Sequence, residues 1–399
     1  METVPGGVTA PIGFAASGVF CEIKKRGKDL ALIASNRPAA AAGTLTTNRL
    51  RAPCVDWVEK VLRKGKARAI VANSGNANCC TGERGRKDCE TTARQTAKLL
   101  GIPPGEVLVA STGVIGVPMP MDKLSNGIAA ARGKLSRTGS HEAAEAIMTT
   151  DLRPKEFAVH WKLNGRIVTV GGIAKGSGMI APNMATMLAF LTTDVTASPA
   201  VLKEALRQSV PGTFNSITVD GEMSTNDMVL LLANGACGTP EIKKGTAAYK
   251  QFLEAVNRVC TALAHEIVRD GEGVTRLFTV TVTGAATPAE AQKAAKQVAN
   301  SLLVKTMVAG RDPNWGRIAA AIGAAGIPFD PKKITIRLGE LTVFKKGEPS
   351  KASRLLLLAQ VDQPTIRMEV DLGRGKAQAR VLSGDLTEEY IKINAKYTS

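Results

Sequence analysis

The hydrophobic positions of this chain form short apolar runs that alternate with longer stretches of helical spacing. Residues 67–72 and 106–110 are apolar runs of strand length, and each gives way to polar or small residues, at 73–78 and at 111–113. A short continuous apolar run bounded by such residues is typical of a buried strand. We therefore predict two buried strands that each end in a polar loop.

A hairpin and further helices and strands continue this pattern. Residues 157–170 turn at Asn164-Gly165, a dipeptide that accepts the positive φ angles of a type I′ turn. Thr287 is followed at capping-box spacing by Glu290, which predicts a helix start. The other predicted elements are helices at 91–100, 199–210, 249–265 and 288–303 and strands at 187–191, 334–338, 365–372 and 377–382. The alternation predicts a layered α/β fold, with a weak boundary near 282–284.

Composition and charge exclude several classes of protein. The 399 residues are 44% hydrophobic, enough for a large core, and 52 basic against 35 acidic residues give a net charge of +17. The basic residues are scattered, and only 4% of the chain is aromatic, so the sequence offers few stacking surfaces for nucleic acid. We expect a solvated basic surface and no nucleic-acid partner.

Location and metal content follow from the same residue counts. The N-terminal residues lack the basic and apolar segments of a signal peptide, and no run has the length of a membrane span. The seven cysteines are odd in number and form no CxxC pair, which favours a reducing compartment. The three histidines include no HExxH motif. We predict a cytoplasmic protein with no membrane partner and no metal site.

The glycine-rich segment at 171–190 carries the most unusual chemistry. Its spacing does not match a P-loop, so a phosphate cradle is a weak reading, and a tight structural loop before a strand is the simpler one. That simple reading leaves the Ala185-Thr186 junction unexplained. A hydroxyl there can attack the preceding carbonyl and release Thr186 with a free α-amino group, whose pKa of about 8 suits a base for its own hydroxyl. Ala-Thr pairs are common, so this dipeptide alone decides little.

Motifs along nearly the whole chain resemble those of one enzyme family. In chain order they lie at residues 48–49, 73–78, 81–82, 110–116, 172–193, 216–227, 270–273, 305–306, 310–318 and 393–395. Together they identify the chain as a member of the ornithine acetyltransferases, also called glutamate N-acetyltransferases, of arginine biosynthesis. The resemblance implies cleavage between Ala185 and Thr186 into an α chain, 1–185, and a β chain, 186–399.

The family also implies an architecture. We expect a fold shared with self-processing aminopeptidases, in which αββα layers resemble those of N-terminal nucleophile hydrolases. A smaller α/β domain is expected from about 284 to 390, and the α and β chains are expected to assemble as an (αβ)2 heterotetramer.

The resemblance assigns site residues one by one. Thr186 matches the nucleophile, and Thr112 and Gly113 match the oxyanion hole. The remaining matches are substrate-binding residues, namely Thr149 or Thr150, Lys175, Glu272, Asn394 and Ser399. Without the family, these positions would be read as an ordinary turn, a helix end, a surface lysine, a solvated acidic turn and a frayed tail.

The reaction implied by the family is transfer of an acetyl group from N2-acetylornithine to glutamate through acetyl-Thr186. No cofactor is expected, and the sequence leaves open whether acetyl-CoA is a second donor. The nearest alternative is a self-processing amidase or aminopeptidase on the same scaffold. In that enzyme water rather than an amine would resolve the acyl-enzyme.

Overall fold

The structure is a computed structural model that describes residues 1–180 and 187–396. Its strands are β1 (Glu2–Val4), β2 (Phe14–Val19), β3 (Leu30–Leu45), β4 (Lys66–Asn76), β5 (Val107–Val114), β6 (Lys155–Leu163), β7 (Arg166–Lys175), β8 (Leu188–Thr193), β9 (Ile217–Thr218), β10 (Met228–Ala233), β11 (Leu277–Ala285), β12 (Thr335–Leu338), β13 (Leu341–Lys345), β14 (Glu348–Pro349), β15 (Thr365–Asp371) and β16 (Ala377–Gly384). Its α-helices are α1 (Pro53–Arg63), α2 (Gly82–Leu100), α3 (Met121–Gly133), α4 (Ser140–Ala146), α5 (Pro199–Ser209), α6 (Ala247–Arg269), α7 (Pro288–Ala299), α8 (Leu302–Ala309), α9 (Gly316–Gly323), α10 (Arg354–Val361) and α11 (Glu388–Lys396).

The first sheet interleaves strands from both sides of the predicted cleavage point. Its order is β1-β6-β7-β8-β10-β3-β4-β5, and β2 also pairs with β3. Strand β8 lies between β7, to which it is antiparallel, and β10, to which it is parallel. Strand β10 in turn is antiparallel to β3. A cut between residues 185 and 186 would therefore leave the two fragments joined by strand hydrogen bonds.

Both faces of this sheet are buried, which explains the continuous apolar runs. Along β8, Leu188 and Phe190 belong to one hydrophobic cluster, which also contains residues of α1 to α4, whereas Ala189 and Leu191 belong to a second cluster with residues of α5 and α6. Successive side chains of a strand point to opposite faces, so a strand covered on both sides must be apolar throughout. The predicted layered α/β class is confirmed.

The second sheet and its core lie mainly in the last third of the chain. The strand order is β14-β13-β12-β15-β11-β16-β9. A third hydrophobic cluster, running from Phe278 to Val381, packs α7, α8 and α9 against these strands. Short β9 joins this sheet from residues 217–218, so the sheet draws on chain outside the predicted smaller domain. The boundaries of that domain, and of the 1–185 and 186–399 chains, stay predictions.

Several local predictions can be compared with the structure. The hairpin is confirmed, since β6 and β7 turn at Asn164 and Gly165 with φ angles of 50° and 79°. The single helix predicted at 288–303 is wrong: α7 ends at Ala299, and α8 begins after Ser301, whose hydroxyl accepts a hydrogen bond from the Val304 amide. Such a serine N-cap starts a new helix. Among the helices that the structure describes, none is both long and apolar enough to cross a bilayer.

Candidate active site

Gly113 lies where two parallel strands, β4 and β5, come very close. Gly75 of β4 is opposite Gly113 of β5 in the register. The φ angle of Gly113 is 128°, and a Cβ atom there would lie 2.4 Å from the Gly75 carbonyl carbon. Only glycine fits this position. Thr112 and Gly113 both line one cavity, the candidate active site, so the backbone holds the two predicted oxyanion donors at its wall.

Lys175, the last residue of β7, connects two other predicted residues. Its Nζ donates to the Thr149 hydroxyl at 2.8 Å and to the Thr112 hydroxyl at 3.4 Å. The side chain is buried, and burial lowers the pKa of Lys175 although the charge of Asp151 opposes the shift. Thr149 and Thr150 both line the cavity. Of these two threonines, Thr149 is the one with a described hydrogen bond to Lys175.

A buried ion network supports this side of the cavity. Asp151 Oδ1 accepts from Lys155 Nζ at 2.6 Å and from the Gly176 amide at 2.7 Å, while Oδ2 accepts from the Thr149 amide at 3.0 Å. Lys155 Nζ also donates to Asp270 at 2.6 Å. Burial opposes ionisation of Asp151, but the two lysine charges and these hydrogen bonds outweigh it and lower its pKa to about 2. Asp151 therefore fixes the segments that carry both Thr149 and Lys175.

The cavity wall also contains Glu272 and Asn394, which contact each other. The Glu272 amide donates to the Ser177 carbonyl at 3.0 Å, and a Cβ at Gly178 would lie 2.4 Å from the Glu272 carboxyl group. Asn394, on helix α11, donates through Nδ2 to Glu272 Oε2 at 2.7 Å. The helix is anchored where the Thr387 hydroxyl donates to the Gly273 carbonyl at 2.7 Å. A carboxylate held at the cavity wall in this way can bind a cationic amine.

The chain segments on both sides of residues 181–186 are held by two aspartates. Asp220 accepts hydrogen bonds from the Met179 amide at 2.5 Å and from the Ile180 amide at 2.9 Å. Asp227 Oδ1 accepts from the Met187 amide at 2.8 Å. Burial raises the pKa of both carboxyl groups. Ala185, Thr186 and Ser399 lie outside the described residues, so their predicted roles stay predictions.

Seven predicted residues meet in the cavity, and the sequence reasoning missed their supports. The cavity is lined by Thr112, Gly113, Thr149, Thr150, Lys175, Glu272 and Asn394, together with residues such as Ser224, Thr225 and Asn226. The missed residues include Asp151, Lys155 and Asp227. Asp227 belongs to a motif at 220–227 that reads as structural from its sequence, and Asp151 directly follows Thr150. Their only signal was proximity in sequence to recognised motifs.

Comparison with known proteins places the chain in one family. The sequence profile of the ArgJ family matches residues 15–399. The chain therefore belongs to the ArgJ family, and the resemblance seen in its motifs is confirmed.

Individual relatives agree along the whole chain. It is 50% identical over 400 residues to the arginine biosynthesis bifunctional protein ArgJ of Symbiobacterium thermophilum, covering 100% of both chains. It is 46% identical to the protein of the same name from a Synechococcus strain, covering 100% of this chain and 99% of that one.

Two solved structures are also similar. One is ArgJ from Bacillus halodurans, with 40% identity, a TM-score of 0.43, and coverage of 46% of this chain and 96% of that one. The other is ornithine acetyltransferase from Mycobacterium tuberculosis in complex with ornithine, with 43% identity, a TM-score of 0.43, and coverage of 46% and 98%.

Proposed function

We propose that this protein is an acetyltransferase of arginine biosynthesis that moves the acetyl group of N2-acetylornithine to glutamate. The observation that carries the proposal is one cavity lined by Thr112, Gly113, Lys175, Glu272 and Asn394. Membership of the ArgJ family supports it, as do relatives named arginine biosynthesis bifunctional protein ArgJ. A related ornithine acetyltransferase has been solved with ornithine bound.

The first half-reaction acetylates the enzyme. Thr186, freed by cleavage after Ala185, attacks the acetyl carbonyl while its own α-amino group takes the hydroxyl proton. Thr112 and Gly113 stabilise the tetrahedral oxyanion. The carbon–nitrogen bond then breaks, the ornithine amine leaves with the proton, and an acetyl ester remains on Thr186.

The second half-reaction returns the enzyme to its free form. The neutral amine of glutamate attacks the ester carbonyl, the threonine oxygen leaves and regains a proton, and N-acetylglutamate is released. Lys175 is suited to hold a substrate carboxylate, and Glu272, with Asn394 fixing its orientation, is suited to hold the cationic side-chain amine of ornithine. We add Ser399 and either Thr149 or Thr150 as substrate contacts.

The proposal includes processing, assembly and location. Cleavage gives chains 1–185 and 186–399, which stay joined through strands β7 and β8. We propose that they assemble as (αβ)2 in the cytoplasm and use no cofactor or metal, with acetyl-CoA as an open second donor.

The test is a donor and acceptor assay with the purified protein. It is incubated with glutamate and either N2-acetylornithine or acetyl-CoA, and N-acetylglutamate and free acetate are both measured. We expect N-acetylglutamate from N2-acetylornithine, and acetylation of the fragment that begins at Thr186 when glutamate is withheld. Acetate as the main product, independent of glutamate, would show instead an amidase of the same scaffold. Product from acetyl-CoA would establish a second donor.

A further inference from the structure

The dipeptide Asn226-Asp227, at the entrance to strand β10, connects the two parts of the site that must act together. Asn226 Nδ2 donates to the Ser111 carbonyl at 2.8 Å and to the Ala77 carbonyl at 2.7 Å. Asp227 Oδ1 accepts from the Met187 amide at 2.8 Å. Ser111 directly precedes Thr112, and Met187 directly follows Thr186. Two adjacent side chains thus hold the backbone next to the oxyanion donor and next to the nucleophile.

The dipeptide is itself tightly held. The Thr225 hydroxyl donates to Asn226 Oδ1 at 2.6 Å, which fixes the orientation of the amide, and the Asp227 carbonyl accepts from the Thr46 amide at 2.9 Å. Asn226 and Asp227 are 3% and 1% exposed. Hydrogen bonds among buried groups of this kind have little freedom to lengthen, because the surrounding side chains are close-packed.

One carboxylate oxygen of Asp227, Oδ2, is buried without a hydrogen-bond partner within residues 1–180 and 187–396, as are single oxygens of Asp88, Glu142 and Glu156 among the described residues. A buried carboxyl oxygen without a partner costs free energy, and of these four residues only Asp227 adjoins a residue that lines the candidate active site, Asn226. Asp194, at the other end of β8, has both of its carboxylate oxygens hydrogen-bonded.

We propose that Asn226 and Asp227 are positioning residues that set the distance between the oxyanion donors of β5 and the start of β8. The inference rests on the proposed function, because the nucleophile is assigned there. Asn226 acts through its two donated hydrogen bonds, and Asp227 acts through Oδ1 as an acceptor. Displacing reacting groups by about 1 Å can cost about 100-fold in rate while substrate contacts elsewhere stay intact.

The experiment compares variants at the start of strands β8 and β10 with matched variants at the other end of the same two strands. Asn226→Leu removes the bonds that Nδ2 donates to the two backbone carbonyls and its weaker bond to Cys54 Sγ at 3.6 Å. Its control is Asn234→Leu, a buried asparagine that also donates to a backbone carbonyl, that of Ile12. We expect Asn226→Leu to lower kcat about 100-fold with KM unchanged. We expect Asn234→Leu to lower the melting temperature and leave kcat unchanged.

Asp227 is tested by rescue. Asp227→Ala removes the acceptor for the Met187 amide and should slow both fragment formation and acetyl transfer, whereas Asp227→Asn keeps a carbonyl oxygen and should recover kcat to about a tenth or more of wild type. Asp194→Asn is the control for charge removal.

If Asn226→Leu does not fold, Thr225→Val, which frees the Asn226 amide to rotate, is expected to lower kcat at unchanged KM.

Failures of the two proposals look different. If the wild type transfers no acetyl group to glutamate, the proposed function is wrong. If the wild type is active but folded Asn226 or Thr225 variants keep wild-type kcat, or Asp227→Asn is no better than Asp227→Ala, the positioning role is overturned. A drop in kcat no larger than that of the Asn234 and Asp194 controls would also overturn the positioning role.

Discussion

The two ends of the β8–β10 strand pair use the same residue types for different purposes. At the far end, Asp194 accepts from the Thr169 amide at 2.8 Å and from the Ile12 amide at 3.0 Å, and Asn234 donates to the Ile12 carbonyl at 3.0 Å. These bonds fasten an N-terminal loop to the sheet. At the near end, Asp227 bonds the Met187 amide through one oxygen only.

The two ends contain the same residue types but differ in how many of their carboxylate oxygens are hydrogen-bonded. Burial raises the pKa of both aspartates, and backbone amides oppose the shift at each; at Asp227 the charge of Lys175 opposes it as well. Yet both Asp194 oxygens are bonded, whereas Asp227 Oδ2 has no partner in the described parts of the chain. The hydrogen bonds that the two carboxylates make, and not their residue type, therefore distinguish the two ends.

The largest effect is expected at the start of β8. Thr186→Ala should stay a single full-length chain and lose acetyl transfer, because the hydroxyl needed for both steps is absent. Thr193→Val, at the far end of β8, loses the bond from its hydroxyl to the Thr169 carbonyl at 2.7 Å and the bond that this hydroxyl accepts from the Val195 amide at 3.4 Å, and should be processed and active. Gel electrophoresis and N-terminal sequencing check both. A cleaved, active Thr186→Ala protein would contradict the assignment.

The oxyanion wall should give the next largest effect. Thr112→Ala removes a donor to the developing negative charge, and a loss of about 10²–10³ in kcat is expected. It also removes one of the Lys175 contacts, so the KM for each substrate should be measured in parallel. Steady-state kinetics at saturating glutamate provide the test. A kcat equal to that of Thr193→Val would exclude Thr112 from the reaction.

Acid should weaken the buried ion network around Asp151. The pKa of Asp151 is lowered to about 2, so the native state binds this proton less tightly than the unfolded chain. The resulting stability is present above pH about 4 and is lost as pH falls through about 2; it is on the order of 2 kcal/mol. Denaturant unfolding across this range should show the loss in wild type and not in Asp151→Asn.

Asp194 is expected to change stability with pH in the opposite direction to Asp151. Because burial raises its pKa, the native state binds this proton more tightly, and its contribution to stability falls as pH rises above the ordinary carboxyl range. Asp194→Asn should remove that decline. Identical pH profiles for the Asp151→Asn and Asp194→Asn variants would contradict the opposite pKa shifts of these two carboxyl groups.

The smallest effect is expected at the helix that closes the site. Asn394→Ala removes the bond to Glu272, and loss of one hydrogen bond to a charged group should raise the KM for N2-acetylornithine about tenfold. Cleavage should be unaffected, because it needs only the segment around Thr186 and the oxyanion donors. Asn234→Ala is the control that should leave this KM unchanged. An unchanged KM in Asn394→Ala would remove Asn394 from the substrate contacts.

Sequence reasoning predicted local elements well where the signal is local. The Asn164-Gly165 turn and the Thr287 helix start are decided by residues within one turn of each other, and both are present. The division of 288–303 at Ser301 was missed, because a serine inside an apolar stretch is read as part of the helix unless its side chain is seen to cap the next one. Strand β4 likewise runs on to Asn76, four residues past the predicted end at 72.

What the sequence determined by itself is therefore the α/β class, about half of the described strands, fewer than half of the described helices, the family, and seven of the residues that line the cavity. Only the tertiary structure determined which of these residues contact one another. The Lys155 bridge between Asp151 and Asp270, and the bonds of Asn226 and Asp227 to Ser111 and Met187, join residues far apart in the chain. Such contacts depend on sheet order and burial, and hydrophobic periodicity carries no information about which polar side chains become neighbours across a fold.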